Sequence, residues 1–250
     1  MRFRIQPQIP LIALVLLLVG CTAISVDYDP PDGVPAAGQD PVLLRVCVLK
    51  DTGISCRQTD RILVALTREM AQHGIAVSVP WIRDWQRPGF FETDISRSVA
   101  AYPLIAPCDR ILTLVGRDFK DFAWGLFMPE ILGAVEQLTR TKGYVVASIG
   151  SLNQLLSFRP PAAGAIHELY HMLGCDHGLS GQTCAAKIDA IKEQARRNRK
   201  NGQDFFPGLD GAGDLLLTRT AVEAEFNPYL PQAPEAMTAE LAAAPAAICL

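Results

Sequence analysis

Histidine is scarce in this chain, with four in 250 residues. Basic charge is not in excess either: 23 Lys and Arg against 26 Asp and Glu give a formal net charge of −3. Without a positive field there is no electrostatic case for binding nucleic acid. No segment is repeated, which argues against a solenoid or propeller. The apolar run at residues 9–19 is broken by Pro10 and is too short for a comfortable membrane span. A serine or cysteine nucleophile has no support, because no histidine outside one cluster has a partner implied by the sequence.

That cluster is residues 165–178, AIHELYHMLGCDHG, which holds three of the four histidines. It spells H-E-x-x-H-x-x-G-x-x-H from His167 through Glu168, His171 and Gly174 to His177. Residues four apart share a helix face, so His167 and His171 can aim two imidazoles at one metal ion. Glu168 can reach the open side of that ion. Gly174 is a helix stop, because glycine takes a left-handed conformation cheaply. The turn lets the chain fold back, so that His177 can supply a third nitrogen. Three protein ligands and one open position is the layout of a catalytic zinc site.

HELYHMLGCDH resembles the zinc signature of the metzincin metallopeptidases, the clan that contains astacins, serralysins, matrixins and adamalysins. The resemblance implies an α/β (α+β) fold: a twisted mixed sheet with an antiparallel edge strand, an active-site helix beneath it, and a smaller, mostly irregular or helical C-terminal subdomain. By the same resemblance, 133–136 is the place for the edge strand that receives extended substrate. The clan also carries a methionine turn beneath the zinc, for which Met237, the sole methionine after His177, is the literal candidate. Tyr170 departs from the clan, which has Gly or Ala there in most members, and must find room against the sheet.

The N-terminus reads as export. Arg2 and Arg4 precede the apolar run, which ends in Leu18-Val19-Gly20-Cys21. This resembles the lipobox of bacterial lipoproteins and implies cleavage before Cys21 and lipidation of it. An ordinary secretory signal with a chance cysteine is the other reading. Thr22 after the cysteine implies the outer membrane if the source is Gram-negative. Residues 21–40 are rich in Pro, Gly, Asp and Ala and form a flexible tether spanning roughly 25 Å. The divisions expected are a signal peptide at 1–20, the lipidated cysteine and tether at 21–40, a catalytic subdomain at 41–177, and a C-terminal subdomain at 178–250.

Strands are expected at 42–49 and 75–79, with a helix at 61–73 between them capped by Thr59 or Asp60, which makes a parallel βαβ unit. His73, in the last turn of that helix, is accounted for by the helix dipole. The stretch 80–107 reads as irregular, with a possible short helix at 95–101. Further strands are expected at 110–115 and 144–149, the zinc helix at 162–173, and another helix at 184–200. Residues 210–214 read as a turn.

Seven cysteines less Cys21 leave six, an even number that suggests disulfides in an exported protein. Cys175 with Cys184 is the first expectation, because it staples the turn that carries His177. Cys47 with Cys56 is another short loop. A competing reading makes Cys175 a zinc ligand.

The function expected is a zinc-dependent endopeptidase with one catalytic Zn²⁺ on His167, His171 and His177. It hydrolyses peptide bonds by a zinc-activated water with Glu168 as general base. Its partners are a peptide or protein substrate and the membrane that takes its lipid, with a monomer assumed. The alternative is a non-catalytic zinc- or peptide-binding lipoprotein on the same scaffold.

Overall fold

The computed structural model describes residues 41–117, 121, 132–148, 161–175, 181–203, 208–209, 214–216, 218–237 and 249. The expected signal segment, Cys21, the expected tether and His177 lie outside these residues. The described fold is mixed α/β around a mostly parallel sheet.

Strand β1 (Val42–Asp51) is central. Its side chains alternate between two cores, as the twofold period of a strand requires. Val42, Leu44, Val46 and Val48 enter one core, and Cys47 and Leu49 the other. Helix α1 (Cys56–Gln72) follows. Its cap is Ser55, whose hydroxyl accepts from the Gln58 N–H, so the helix starts a turn before the expected Thr59 or Asp60. Thr59 is inside the helix, where its hydroxyl donates to the Ser55 carbonyl. Gly74, at φ 66°, ends the helix and lets β2 (Ile75–Ser78) return parallel to the first half of β1.

Strand β3 (Ile82–Trp85) lies in the stretch read as irregular. It pairs parallel with the second half of β1, Val48 to Asp51, beyond the reach of β2. Helix α2 (Glu92–Ala101) is longer than the segment expected at 95–101. Strands β4 (Arg110–Val115) and β6 (Lys142–Val146) continue the parallel order, and β5 (Gly133–Val135) pairs antiparallel with β6. The order is β2-β1-β4-β6-β5, with β3 beside β1. Thus β5 is an antiparallel edge strand among those described.

Helix α3 (Pro161–Met172) carries the histidine motif. It begins on a proline, which suits the first helical position because the missing N–H is not needed there. With α1 it covers one face of the sheet, over Leu112, Leu114 and Val145. Helix α2 covers the other face, where Trp81, Trp85, Ile95 and Val99 meet Ile111 and Tyr144. Helix α4 (Gly181–Lys200) begins a little before the expected 184 and sends Ile188, Ile191 and Ala195 into the core of α1 and α3. A small hairpin of β7 (Gly208–Leu209) and β8 (Leu215–Leu216) precedes α5 (Arg219–Phe226). Among the described residues, no helix is long and apolar enough to cross a membrane.

Three disulfides join Cys47 to Cys108, Cys56 to Cys249, and Cys175 to Cys184. The expected short loop from Cys47 to Cys56 does not form. Cys47 points into the α2 core from β1, where it meets Cys108 just before the neighbouring β4. Cys56 begins α1 and is taken up by Cys249. Such bonds fit an oxidising compartment outside the cytoplasm.

Candidate metal centre

The i, i+4 spacing works as the sequence requires. His167 Nε2 and His171 Nε2 approach to 3.0 Å, with their rings nearly perpendicular at 88°. Two nitrogens about 2.0–2.1 Å from one tetrahedral ion stand about 3.3 Å apart, so this pair is close to the spacing that one ion needs. His171 Nδ1 lies 2.6 Å from the Cys175 carbonyl oxygen. A carbonyl only accepts, so Nδ1 carries the proton and the neutral ring presents a lone pair at Nε2. A backbone carbonyl on the second ring nitrogen is the usual orienting partner of a metal-ligating histidine. With a proton on His167 Nε2 the contact is a hydrogen bond to His171 Nε2, and a cation that displaces that proton would meet two lone pairs at this spacing. The pair therefore fits a divalent cation.

The end of α3 holds this arrangement. Gly174 takes φ 89°. The Gly174 N–H bonds the His171 carbonyl and the Cys175 N–H reaches back to the Tyr170 carbonyl, which together make a Schellman stop. The bond to Cys184 fixes Cys175 further. Cys175 is thereby consumed in a disulfide, which sets aside the reading of it as a metal ligand. Among the described residues, no group of three or more His, Cys, Asp or Glu side chains gathers as a metal would need. The third expected ligand, His177, is outside them.

Glu168 is on the adjacent face of the helix. That face, at i, i+4 and i+8, is Gly164, Glu168 and Met172, and it lies along β6 and β5. A Cβ on Gly164 would stand 2.9 Å from Val145 Cγ2, and one on Gly143 would stand 3.3 Å from Met172 Cε. Between these, the Glu168 carboxyl rests on Gly133, the strand partner of Val145. Glu168 is only 7% exposed, and burial pushes its carboxyl up to about 8.

Two further anchors set the helix. Arg110, wholly buried at the start of β4, donates from Nε to the Met172 carbonyl at 3.1 Å and from Nη1 to the Asp109 carbonyl. Its charge sits at the helix C-terminus, where the dipole favours a cation. Burial holds Arg110 down at about 10. The sequence reading passed over it. The signal was a charged residue opening the apolar run RILTLV, since a buried charge must find partners. Tyr170 finds its room against α1 rather than the sheet. Its hydroxyl donates to Glu69 Oε1 and accepts from His73 Nε2 at 2.8 Å. His73 is therefore a hydrogen-bond partner of the motif helix, beyond any dipole role.

Met237 is half-buried in a single turn after α5, with its N–H bonded to the Pro234 carbonyl. The segment leading to it, Pro231, Gln232 and Ala233, borders Tyr102 at the end of α2 and Lys142 at the start of β6. The histidine pair is on α3, across the sheet from α2.

No protein-family model matches the chain, and no curated protein matches it.

Proposed function

We propose that this chain is a zinc-dependent endopeptidase of metzincin type, exported and anchored to the cell envelope by a lipid on Cys21. The observation that carries the reading is the convergence of His167 Nε2 and His171 Nε2 at 3.0 Å, with His171 oriented by the Cys175 carbonyl. The Gly174 stop, the antiparallel edge strand and the buried carboxyl on the adjacent helix face support it. The anchor rests on the sequence of residues 1–22, and the disulfides are consistent with export.

His167, His171 and His177 would hold the zinc. When bound, zinc supplies Lewis acidity and makes water acidic enough to attack at neutral pH. Glu168 would accept the proton of the attacking water and return it to the departing amine. Its position against Gly133 is dry, and a cation held at the histidine pair would favour its ionised form, the form that accepts a proton. Among the described strands, β5 has a partner on one side only. An extended peptide can add to the other side through main-chain hydrogen bonds. Peptide and protein substrates follow from that mode of binding, with side-chain preference left to the pocket beside the zinc.

A non-catalytic zinc- or peptide-binding lipoprotein on the same scaffold is the second reading. Glu168 favours the enzyme, since binding alone needs no buried carboxyl there. Glu168→Gln separates the two. The enzyme predicts cleavage of an unbiased peptide library by the wild type and none by the variant, with zinc content equal in both. Equal hydrolysis by two zinc-loaded proteins would falsify the enzyme reading.

A further inference from the structure

The contact between Glu168 and β5 is tighter than strand packing requires. A Cβ built on Gly133 lies 2.4 Å from Glu168 Oε1, 2.7 Å from Cδ and 2.8 Å from Cγ. Three atoms are involved, so rotating the carboxyl cannot relieve the clash and the side chain as a whole must move. The backbone does not explain the glycine: among the described residues the positive-φ glycines are Gly74, Gly174 and Gly202, and Gly133 is not one of them. Glycine also weakens a strand, and in strands it marks close approach of another group.

The helix cannot retreat to make room. Gly164 lies over Val145 and Met172 over Gly143, so a shift away from the sheet would open the packing at both ends of the same face. Arg110 holds the Met172 carbonyl, and Tyr170 ties the opposite flank to Glu69 on α1. Any side chain at 133 must therefore displace Glu168 rather than α3.

We propose that Gly133 is a positioning residue for Glu168, its bare Cα being the seat that fixes where the carboxyl stands relative to the histidine pair. The seat is a property of the fold, and its kinetic consequence rests on the peptidase reading. Strand β5 thus serves the site twice: its edge takes the substrate backbone, and its first residue places the base. A peptide bound along the strand and the carboxyl that serves it are referenced to the same backbone.

The test is a double-mutant cycle in the full chain, read by urea unfolding with metal removed by chelator, using Gly133→Ala, Glu168→Ala and the pair. Gly133→Ala lowers the unfolding midpoint in the wild-type background and costs much less beside Glu168→Ala, where the truncated side chain leaves space for the methyl. An equal cost in both backgrounds overturns the proposal. If Gly133→Ala alone does not fold, recovery of folding in the double variant supports the seat, and failure of both variants sinks it. The second readout is kinetic, on zinc-loaded protein. Gly133→Ala lowers kcat on the order of 10–100-fold, with zinc content and KM within about twofold of wild type, as misplacement of a catalytic group predicts. Unchanged kcat in Gly133→Ala, with turnover abolished in Glu168→Gln, also overturns it. Should the wild type cleave no peptide at all, the peptidase reading fails and the unfolding cycle still judges the seat.

Discussion

The Tyr170 hydroxyl donates its proton to Glu69, joining the histidine-bearing α3 to α1 through a buried polar contact. A phenol has one proton to give, so the second contact, to His73 Nε2 at 2.8 Å, must have the histidine as donor. Tyr170→Phe keeps the ring and removes both bonds, leaving a buried carboxyl and an imidazole N–H each short of a partner. The expected cost is about 1–3 kcal/mol in urea unfolding. Zinc content stays at the wild-type level, because His167 and His171 lie on another face of α3.

His73 also gives the fold a pH dependence. Burial pushes its imidazole below the usual 6.5, and this outweighs Glu69 and Asp189, which raise it; Lys192 adds to the lowering. The sign follows from which state takes the proton first. Above pH 6.5 both states are neutral at this residue and it contributes nothing. As pH falls through 6.5 the unfolded chain is protonated while the folded chain is not, so stability drops. The loss becomes constant once the folded histidine titrates too. In His73→Gln the amide can still donate to Tyr170, and this part of the dependence is gone. Stability of wild type relative to His73→Gln should therefore decline between pH 7.5 and 5, read by urea midpoints in matched buffers. A difference that is flat with pH, or that grows as pH falls, refutes the assignment.

What could be read from the sequence is what is local. The histidine spacing and the Gly174 stop depend on residues within one or two turns, where helix geometry decides, and Cys175 pairs with Cys184 only nine residues on. The βαβ opening was legible because β1 is a β-branched apolar run and Gly74 ends α1. Strand β3 was not. Its IRDW sequence carries two charges, and it becomes a strand only because β2 leaves the second half of β1 uncovered. The links from Cys47 to Cys108 and from Cys56 to Cys249 span 61 and 193 residues and depend on register and on how the chain closes. Arg110 meets a carbonyl 62 residues away. Gly133 looked like an ordinary strand residue because its role is set by what it leaves empty. The site's chemistry was therefore local, and its mounting was tertiary.

The disulfide between Cys175 and Cys184 gives a test of that mounting. Cys175 uses its carbonyl to fix the His171 tautomer, its N–H to close the Schellman turn, and its sulfur to reach α4. Breaking the last of these frees the turn from α4 but leaves the Tyr170 carbonyl holding the Cys175 N–H. Removing an orienting partner of a metal-bound histidine lowers metal affinity about 10–100-fold. Because one tether survives, the loss in Cys184→Ser should fall near the lower end of that range. A competitive zinc titration against a chromophoric chelator reads it, and saturating zinc should restore activity. The control is the double variant Cys47→Ser with Cys108→Ser, which removes a disulfide on the α2 face of the sheet. If the disulfide acts through Cys175 and His171, the control keeps wild-type zinc affinity even though it is less stable. Equal weakening in both proteins would mean that affinity follows global stability, and the carbonyl of Cys175 would then have no special hold on the site.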